Sequence, residues 1–165
     1  YNSLLPLYAE ILGENTFKIA NKILLNQRVC RLLKYNCRDP FSNKLEDIDG
    51  ADLLGKQISI TPKIFDGSIE KMSYLVVVFD DFAVVPGNQE FKTSTIRFDI
   101  ACPYDEWYLE DSSLRPYLIM QEIDTMFNQA KLAGIGNLQF HRVDALTLSP
   151  QIGGYSMKYK TYEFN

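Results

Sequence analysis

The chain has 165 residues, 46% of them hydrophobic and 13% aromatic, which is enough for one domain with a true core and excludes a disordered chain. Its net charge of −4 and its pI near 5.0 argue against a protein whose affinity depends on neutralising phosphates, although DNA could still slide past such a surface. No apolar run reaches the length of a membrane span. The three cysteines lack a CxxC spacing and are predicted to be reduced, buried thiols, which fits synthesis in the cytoplasm: Cys30, Cys37 and Cys102.

The first 35 residues are predicted to form helices. A short helix covers Leu4–Leu12 and ends at Gly13, and a longer one begins at position 15 or 16 and ends near Tyr35 with a broad apolar stripe. Residues 36–55 then lose their periodicity and are predicted to form a loop. A loop of this length is uncommon in a compact domain unless it has a use, so we expect it to contact other proteins.

A long β-hairpin gives the strongest local pattern. Residues 57–61 form a short strand, and the first hairpin arm runs from Ser73 through Phe79 to Val85. After a turn over residues 86–89, the second arm returns from Phe91 to Ala101 with alternating apolar and polar side chains. Both arms are longer than an ordinary strand, so part of the hairpin is expected to project beyond the core.

The stretch Tyr74–Phe79 is apolar on both faces. One face can pack on a helix, and the other needs a second cover, because a bare apolar strand would aggregate. We favour cover by another subunit. The alternative is cover by the N-terminal helices of the same chain.

The C-terminal half adds one helix and two strands. Ser112 or Ser113 is expected to cap a helix that ends at Gly134. A strand over 138–148 and a last strand over 155–164 follow, with a turn at Gly153-Gly154 between them. The order of elements predicts an α+β fold in which an antiparallel sheet carries helices on one face. We expect a single domain over 1–165, made of helices (1–35), the loop (36–55) and the sheet with its packed helix (56–165).

Residues suited to catalysis are sparse. His141 is the only histidine, so a surface or interface role is favoured over a triad or a multi-histidine metal site. The adjacent Asp80 and Asp81 are predicted to point to opposite faces of their strand. A metal site of a nuclease or other hydrolase remains conceivable from Asp80, Asp99 and Glu106, but solvated carboxylates are favoured. The sequence indicates no cofactor and no enzymatic activity.

A third hypothesis is a binding module. The last strand alternates Tyr155, Met157 and Tyr159 with polar residues. This sheet face could hold a small ligand or a peptide.

Several segments together resemble one family. They are Leu24-Leu25-Asn26-Gln27 and Leu32-Leu33-Lys34-Tyr35, the helix opening Leu114-Arg115-Pro116-Tyr117-Leu118-Ile119, and the closing Gly153-Gly154-Tyr155-Ser156-Met157-Lys158-Tyr159. In this order, around a loop and a hairpin, they resemble neck proteins of tailed bacteriophages, of the tail-terminator or head-completion kind.

The resemblance implies a non-enzymatic virion protein that is made in the host cytoplasm. In the assembly that the resemblance implies, six or twelve copies form a ring between the portal-side connector and tail proteins, and DNA passes through the ring without specific binding. The hairpin residues expected at the subunit interface are Tyr74, Val76, Val78, Val84, Val85, Asn88, Gln89 and Phe91. The loop residues expected to contact adjacent rings are Asp39, Phe41, Asp47 and Asp49.

Overall fold

A computed structural model describes the backbone of residues 4–61, 71–85, 88–132 and 136–164, and the side chains of 14–61, 71–80, 94–131 and 136–161. The helices are α1 (Leu4–Leu24), α2 (Gln27–Lys34) and α3 (Arg115–Phe127). The strands are β1 (Ile58–Ser59), β2 (Tyr74–Val85), β3 (Asn88–Pro103), β4 (Lys131–Leu132), β5 (Gly136–Thr147) and β6 (Ile152–Phe164). None of the helices in these ranges is long and apolar enough to cross a membrane.

The strands form a sheet in the order β1-β2-β3-β6-β5-β4. All pairings are antiparallel except that of β1 with β2, which is parallel. The predicted α+β class and the long hairpin are confirmed. The parallel edge strand was not predicted, because β1 is only two residues long and its direction depends on the path of residues 60–73.

The break between the N-terminal helices lies later than predicted. Gly13 does not end a helix, and α1 continues to Leu24. A glycine inside a helix costs only about 1 kcal/mol, which neighbouring contacts can offset. The break falls at Asn26, whose side chain accepts a hydrogen bond from the Val29 N–H at 3.1 Å and so caps α2.

The third helix also differs from the prediction. It has no side-chain cap from a serine, because Leu114 occupies the N-cap position, and it ends at Phe127 instead of Gly134. After Phe127 the chain joins the sheet: Gln129, at φ 67°, donates to the Leu138 carbonyl, and the Leu138 N–H donates to Ala130. These bonds compete with further helical turns.

Gly153 and Gly154 were predicted to form a turn but lie inside β6. A Cβ atom on Gly154 would stand 1.9 Å from the carbonyl oxygen of Ile100 on the neighbouring strand, and one on Gly153 would stand 2.1 Å from the Tyr104 hydroxyl. The two glycines therefore permit close approach within the sheet and not a change of chain direction.

Helices cover one face of the sheet. Helix α1 packs on β2, and α3 packs on β3 and β6, with α2 against α3. The core between these layers contains Phe98 stacked on Phe127 at 5.3 Å between ring centroids, with Tyr159 edge-on to Phe98. Strand β5 lies beyond α3, and most of its residues are exposed or half-buried.

Besides an irregularity between Val84 and Val85 near the hairpin tip, two register shifts interrupt the pairing of the outer long strands. One lies between Phe79 and Asp81 in β2, and the other between Phe140 and Arg142 in β5. Each inserts one residue, Asp80 or His141, and so forms a β-bulge. Both bulges lie at the level where Ile96 pairs with Tyr159.

Candidate subunit interface

Three predicted interface residues on β2 are already buried within the single chain. Tyr74, Val76 and Val78 are 8%, 1% and 7% exposed. A neighbouring subunit would therefore meet little of these side chains. The sequence pattern, apolar on both faces, reflects a strand that is covered on both faces within its own chain.

The remaining hairpin candidates lie at or near the tip. For these five residues the structure describes the strand backbone but not the side chains: Val84, Val85, Asn88, Gln89 and Phe91. The turn at 86–87 lies wholly outside the described residues. Their role as contacts stays a prediction.

The predicted loop is present over residues 36–55, except for a short 3-10 helix at Gly50–Asp52. Arg31 holds the loop by donating to the carbonyls of Pro40, Ser42 and Leu45. Gln27 both donates to and accepts from the backbone of Ile48. The loop is thus attached to α2 along its length and has a defined shape.

The four loop candidates have different environments. Asp39 is exposed, and Phe41 is half-buried beneath the Arg28 guanidinium at 4.2 Å. Asp47 pairs with Arg31 at 2.8 Å, while Asp49 caps the 3-10 helix by accepting from the Ala51 N–H. Asp39 and Phe41 also line a small cavity of about 180 Å³ with Leu109 and its neighbours. The exposed side of the loop is available to a partner.

The carboxylates of the metal hypothesis are not brought together. The Arg97 guanidinium lies between two of them, 2.5 Å from Asp80 and 3.0 Å from Asp99. Asp80 lies two residues after Val78, which pairs with Arg97, so strand alternation places it on the same face; Lys158 stands 3.6 Å from it. Glu106 lies in a separate 3-10 helix, Tyr104–Glu106, after β3. Within the described ranges, no group of three or more residues is arranged to hold a metal ion.

The sheet face proposed for ligand binding is mostly buried. Tyr159 is fully buried, and its hydroxyl donates to Asp124 at 2.7 Å; burial and this carboxylate raise the pKa of Tyr159. Met157 lies beside it at 3% exposure. A shallow groove remains between α3 and β5, with a volume of about 350 Å³, and we call it the β5 groove. Its lining residues are Tyr117, Met120, Gln121, Asp124, Asn128, Phe140, Val143 and Met157.

An aromatic cluster extends the β5 groove toward the end of β3. The Tyr117 and Tyr155 hydroxyls are 2.9 Å apart, and their rings are 5.4 Å apart. Trp107 packs against both rings, and Tyr104 packs against Trp107 at 5.3 Å. Three of these residues were assigned to loops or to a ligand face in the sequence, so their contact could not be foreseen.

The outer edge of β5 is open. In the described part of the chain, β4 pairs with β5 at Gly136 and Asn137, residues 129–130 bond to the backbone of Leu138, and the Phe140 N–H donates to the Asn128 side chain. The open part of this edge is therefore residues 142–147, beside which no described strand lies. The Leu148 N–H donates to the carbonyl of Ile152 in β6, and along an antiparallel pair only every second residue directs its N–H and C=O toward the partner strand. The backbone groups of Val143 and Ala145 therefore face away from β6.

The opposite edge of the sheet is open as well. Strand β1 pairs with β2 only at Leu75 and Val76, and no described strand lies beside the rest of β2. The Tyr104 N–H donates to the Gln151 carbonyl just before β6. Backbone groups point to alternate sides along an antiparallel strand, so Lys92, an even number of residues from Tyr104, also directs its N–H and C=O toward β6. Val84 lies opposite Lys92, so its own backbone groups face outward.

Exposed apolar side chains accompany both edges. Near β2, Phe17 of α1 is 57% exposed, and Leu54, which bridges to Ile58 of β1, is 41% exposed. Near β5, Tyr117 and Phe140 are each 47% exposed. Unpaired backbone groups together with exposed apolar residues are typical of edges that a partner covers.

The comparison with known families gives one match. A family model, YomW, matches residues 26–161, from the N-cap of α2 to the last strand. Among curated proteins, none matches the chain. The matched range includes α2, α3 and the strands of the sheet.

Proposed function

We propose a structural role in a virion for this chain, which belongs to the YomW family of phage-associated proteins. In this role, copies join edge to edge through their sheets and close into a ring. The observation that carries the proposal is the pair of open edges, one on β2 and one on β5.

The direction of the strands favours this joining. Strands β2, β3, β6 and β5 alternate in direction, so β2 and β5 run antiparallel to one another. When β5 of one copy lies beside β2 of the next in a continuous sheet, the new pair is antiparallel, which is the more stable pairing. This contact joins two different surfaces, and contacts of that kind form closed rings when the rotation between copies closes.

The place of the ring is the neck of a tailed phage particle. The support is the family's association with phages and the order of elements that resembles terminator and head-completion proteins. In this setting, the loop around Asp39 and Phe41 and the tip at 85–90 contact adjacent rings. The acidic chain gives the lumen a surface that does not retain DNA by its phosphates.

Blocking each edge separately tests the proposal. Ala145→Pro removes an outward N–H from β5, and Val84→Pro removes one from β2, while neither removes a bond inside the sheet. Each variant alone can form only one contact and has no partner for it, so we expect monomers. Mixed one to one, they can join through their intact edges, and we expect a dimer in sedimentation velocity.

Matched controls keep the N–H groups. Ala145→Val and Val84→Thr are expected to self-associate like the unmodified chain. Should the Val84→Pro protein alone form dimers, β5 would be pairing with β5 across a two-fold axis, and the ring proposal would be wrong.

A further inference from the structure

We infer that the β5 groove receives helix α1 of the next copy, so that the subunits join through their helical layers as well as their sheets. The inference rests on the proposed edge-to-edge ring. It identifies a second surface of the interface and the segment that fills it.

The gap in the helical layer carries the argument. On the covered face of the sheet, α1 lies over β2 and α3 over β3 and β6, and the described chain places no helix over β5. When β2 of the next copy continues the sheet beyond β5, helix α1 of that copy becomes the neighbour of α3 of the first copy in the helical layer. The β5 groove then lies between α3 of one copy and α1 of the other.

The orientation of α1 places an apolar residue toward that groove. Lys22 stands over the Phe127 ring at 5.7 Å, so its side of α1 faces α3 of the same chain. Ile19 and Ile23 are fully buried. Phe17 is five residues before Lys22, which puts it about 140° around the helix from it. Phe17 therefore points away from its own α3, and it is 57% exposed.

The two surfaces match in chemistry. The β5 groove presents the exposed rings of Tyr117 and Phe140 and the side chains of Met120 and Val143. An aromatic residue entering this groove would remove apolar area on both copies from water. Methionine adapts its shape to such a partner. Phe17 of one copy and the β5 groove of the next are each left uncovered by their own chain, so each can cover the other.

Site-directed crosslinking tests the inference. The exposed Cys37 is first replaced by serine because it would react with the crosslinker, whereas Cys30 and Cys102 are buried and can stay. The Val84→Pro copy then carries Gln121→Cys at the β5 groove, and the Ala145→Pro copy carries Asn21→Cys, one turn from Phe17. We expect a short bismaleimide to link the two copies in the mixture. With the cysteines exchanged between the copies, no link is expected.

A second measurement does not depend on the proline variants. In an otherwise unmodified Cys37→Ser chain, Asn21→Cys and Gln121→Cys together are expected to give a ladder of linked oligomers, and either cysteine alone is not. Phe17→Ser should weaken the mixed dimer about tenfold. Lys18→Ser, on a different side of α1, should leave its affinity unchanged.

The outcomes separate the inference from the ring itself. A mixed dimer that forms with normal affinity but gives no link, and that tolerates Phe17→Ser, would overturn the groove contact and leave the edge pairing intact. No mixed dimer and no ladder would overturn both. A link in the exchanged arrangement would also contradict the groove contact.

Discussion

Arg115 is only 1% exposed although it is charged. Its guanidinium donates to four backbone carbonyls and not to a carboxylate: those of Leu32, Tyr35, Cys37 and Glu106. Three of these carbonyls belong to the C-terminal end of α2 and the residues after it, where helical partners are lacking. Burial lowers the pKa of Arg115, and its acidic neighbours, Cys102 and Glu106 among them, oppose the shift. The side chain joins α2, α3 and the 3-10 helix after β3.

Replacing Arg115 should strongly destabilise the fold. Arg115→Met leaves four carbonyl oxygens without their donor, and we expect a loss of about 3–5 kcal/mol in the free energy of unfolding, measured by urea denaturation. Arg115→Lys keeps the charge but cannot reach all four acceptors, so an intermediate loss is expected. A stability change below about 1 kcal/mol in Arg115→Met would contradict this account.

The cysteines are predicted to differ in reactivity. The sequence suggested buried thiols, but Cys37 is exposed, whereas burial raises the pKa of Cys30 to about 11 and that of Cys102 to about 12. Because the thiolate is the reactive form, a thiol reagent at neutral pH should modify Cys37 rapidly and the other two only after unfolding. Mass spectrometry of the labelled protein counts the modified sites, and rapid labelling of three sites in the native state would refute the prediction.

At the scale of elements, the junction of α1 and α2 depends on one cap. Asn26→Ala removes the acceptor for the Val29 N–H and the donor to Glu122, so we expect a loss of about 1 kcal/mol in thermal unfolding experiments. Asn26→Ser retains a capping oxygen and should lose less. Equal stability of the alanine and unmodified proteins would show that packing alone sets the break.

Sequence reasoning succeeded where the signal was local. The hairpin and the alternation of Ile96, Phe98 and Ile100, all fully buried, follow from spacing within one segment. Sequence reasoning failed where a group distant in the sequence determines the local backbone conformation. The need for glycine at 154 depends on the Ile100 carbonyl, and the end of α3 depends on bonds to Leu138. The open edges could not be predicted either, because an edge is a property of the order of all the strands.

For the whole molecule, assembly should be visible in stability. Because association favours the folded state by mass action, the unmodified chain should show an apparent Tm that rises by about 3 °C for each tenfold increase in concentration. Ala145→Pro, which blocks one edge, should show a Tm independent of concentration. Calorimetry over a range of concentrations tests this, and the same slope in both proteins would argue against edge pairing.

The bulges at Asp80 and His141 have a consequence for the size of any ring. Each interrupts the regular spacing of backbone donors and acceptors on the strand where two copies would meet, so a neighbour can follow that edge at one offset only. The offset and the strand number together determine the diameter of a closed barrel of strands. Two single-residue insertions would thereby fix the bore of the channel. Deleting His141 should change the number of copies, as native mass spectrometry would reveal.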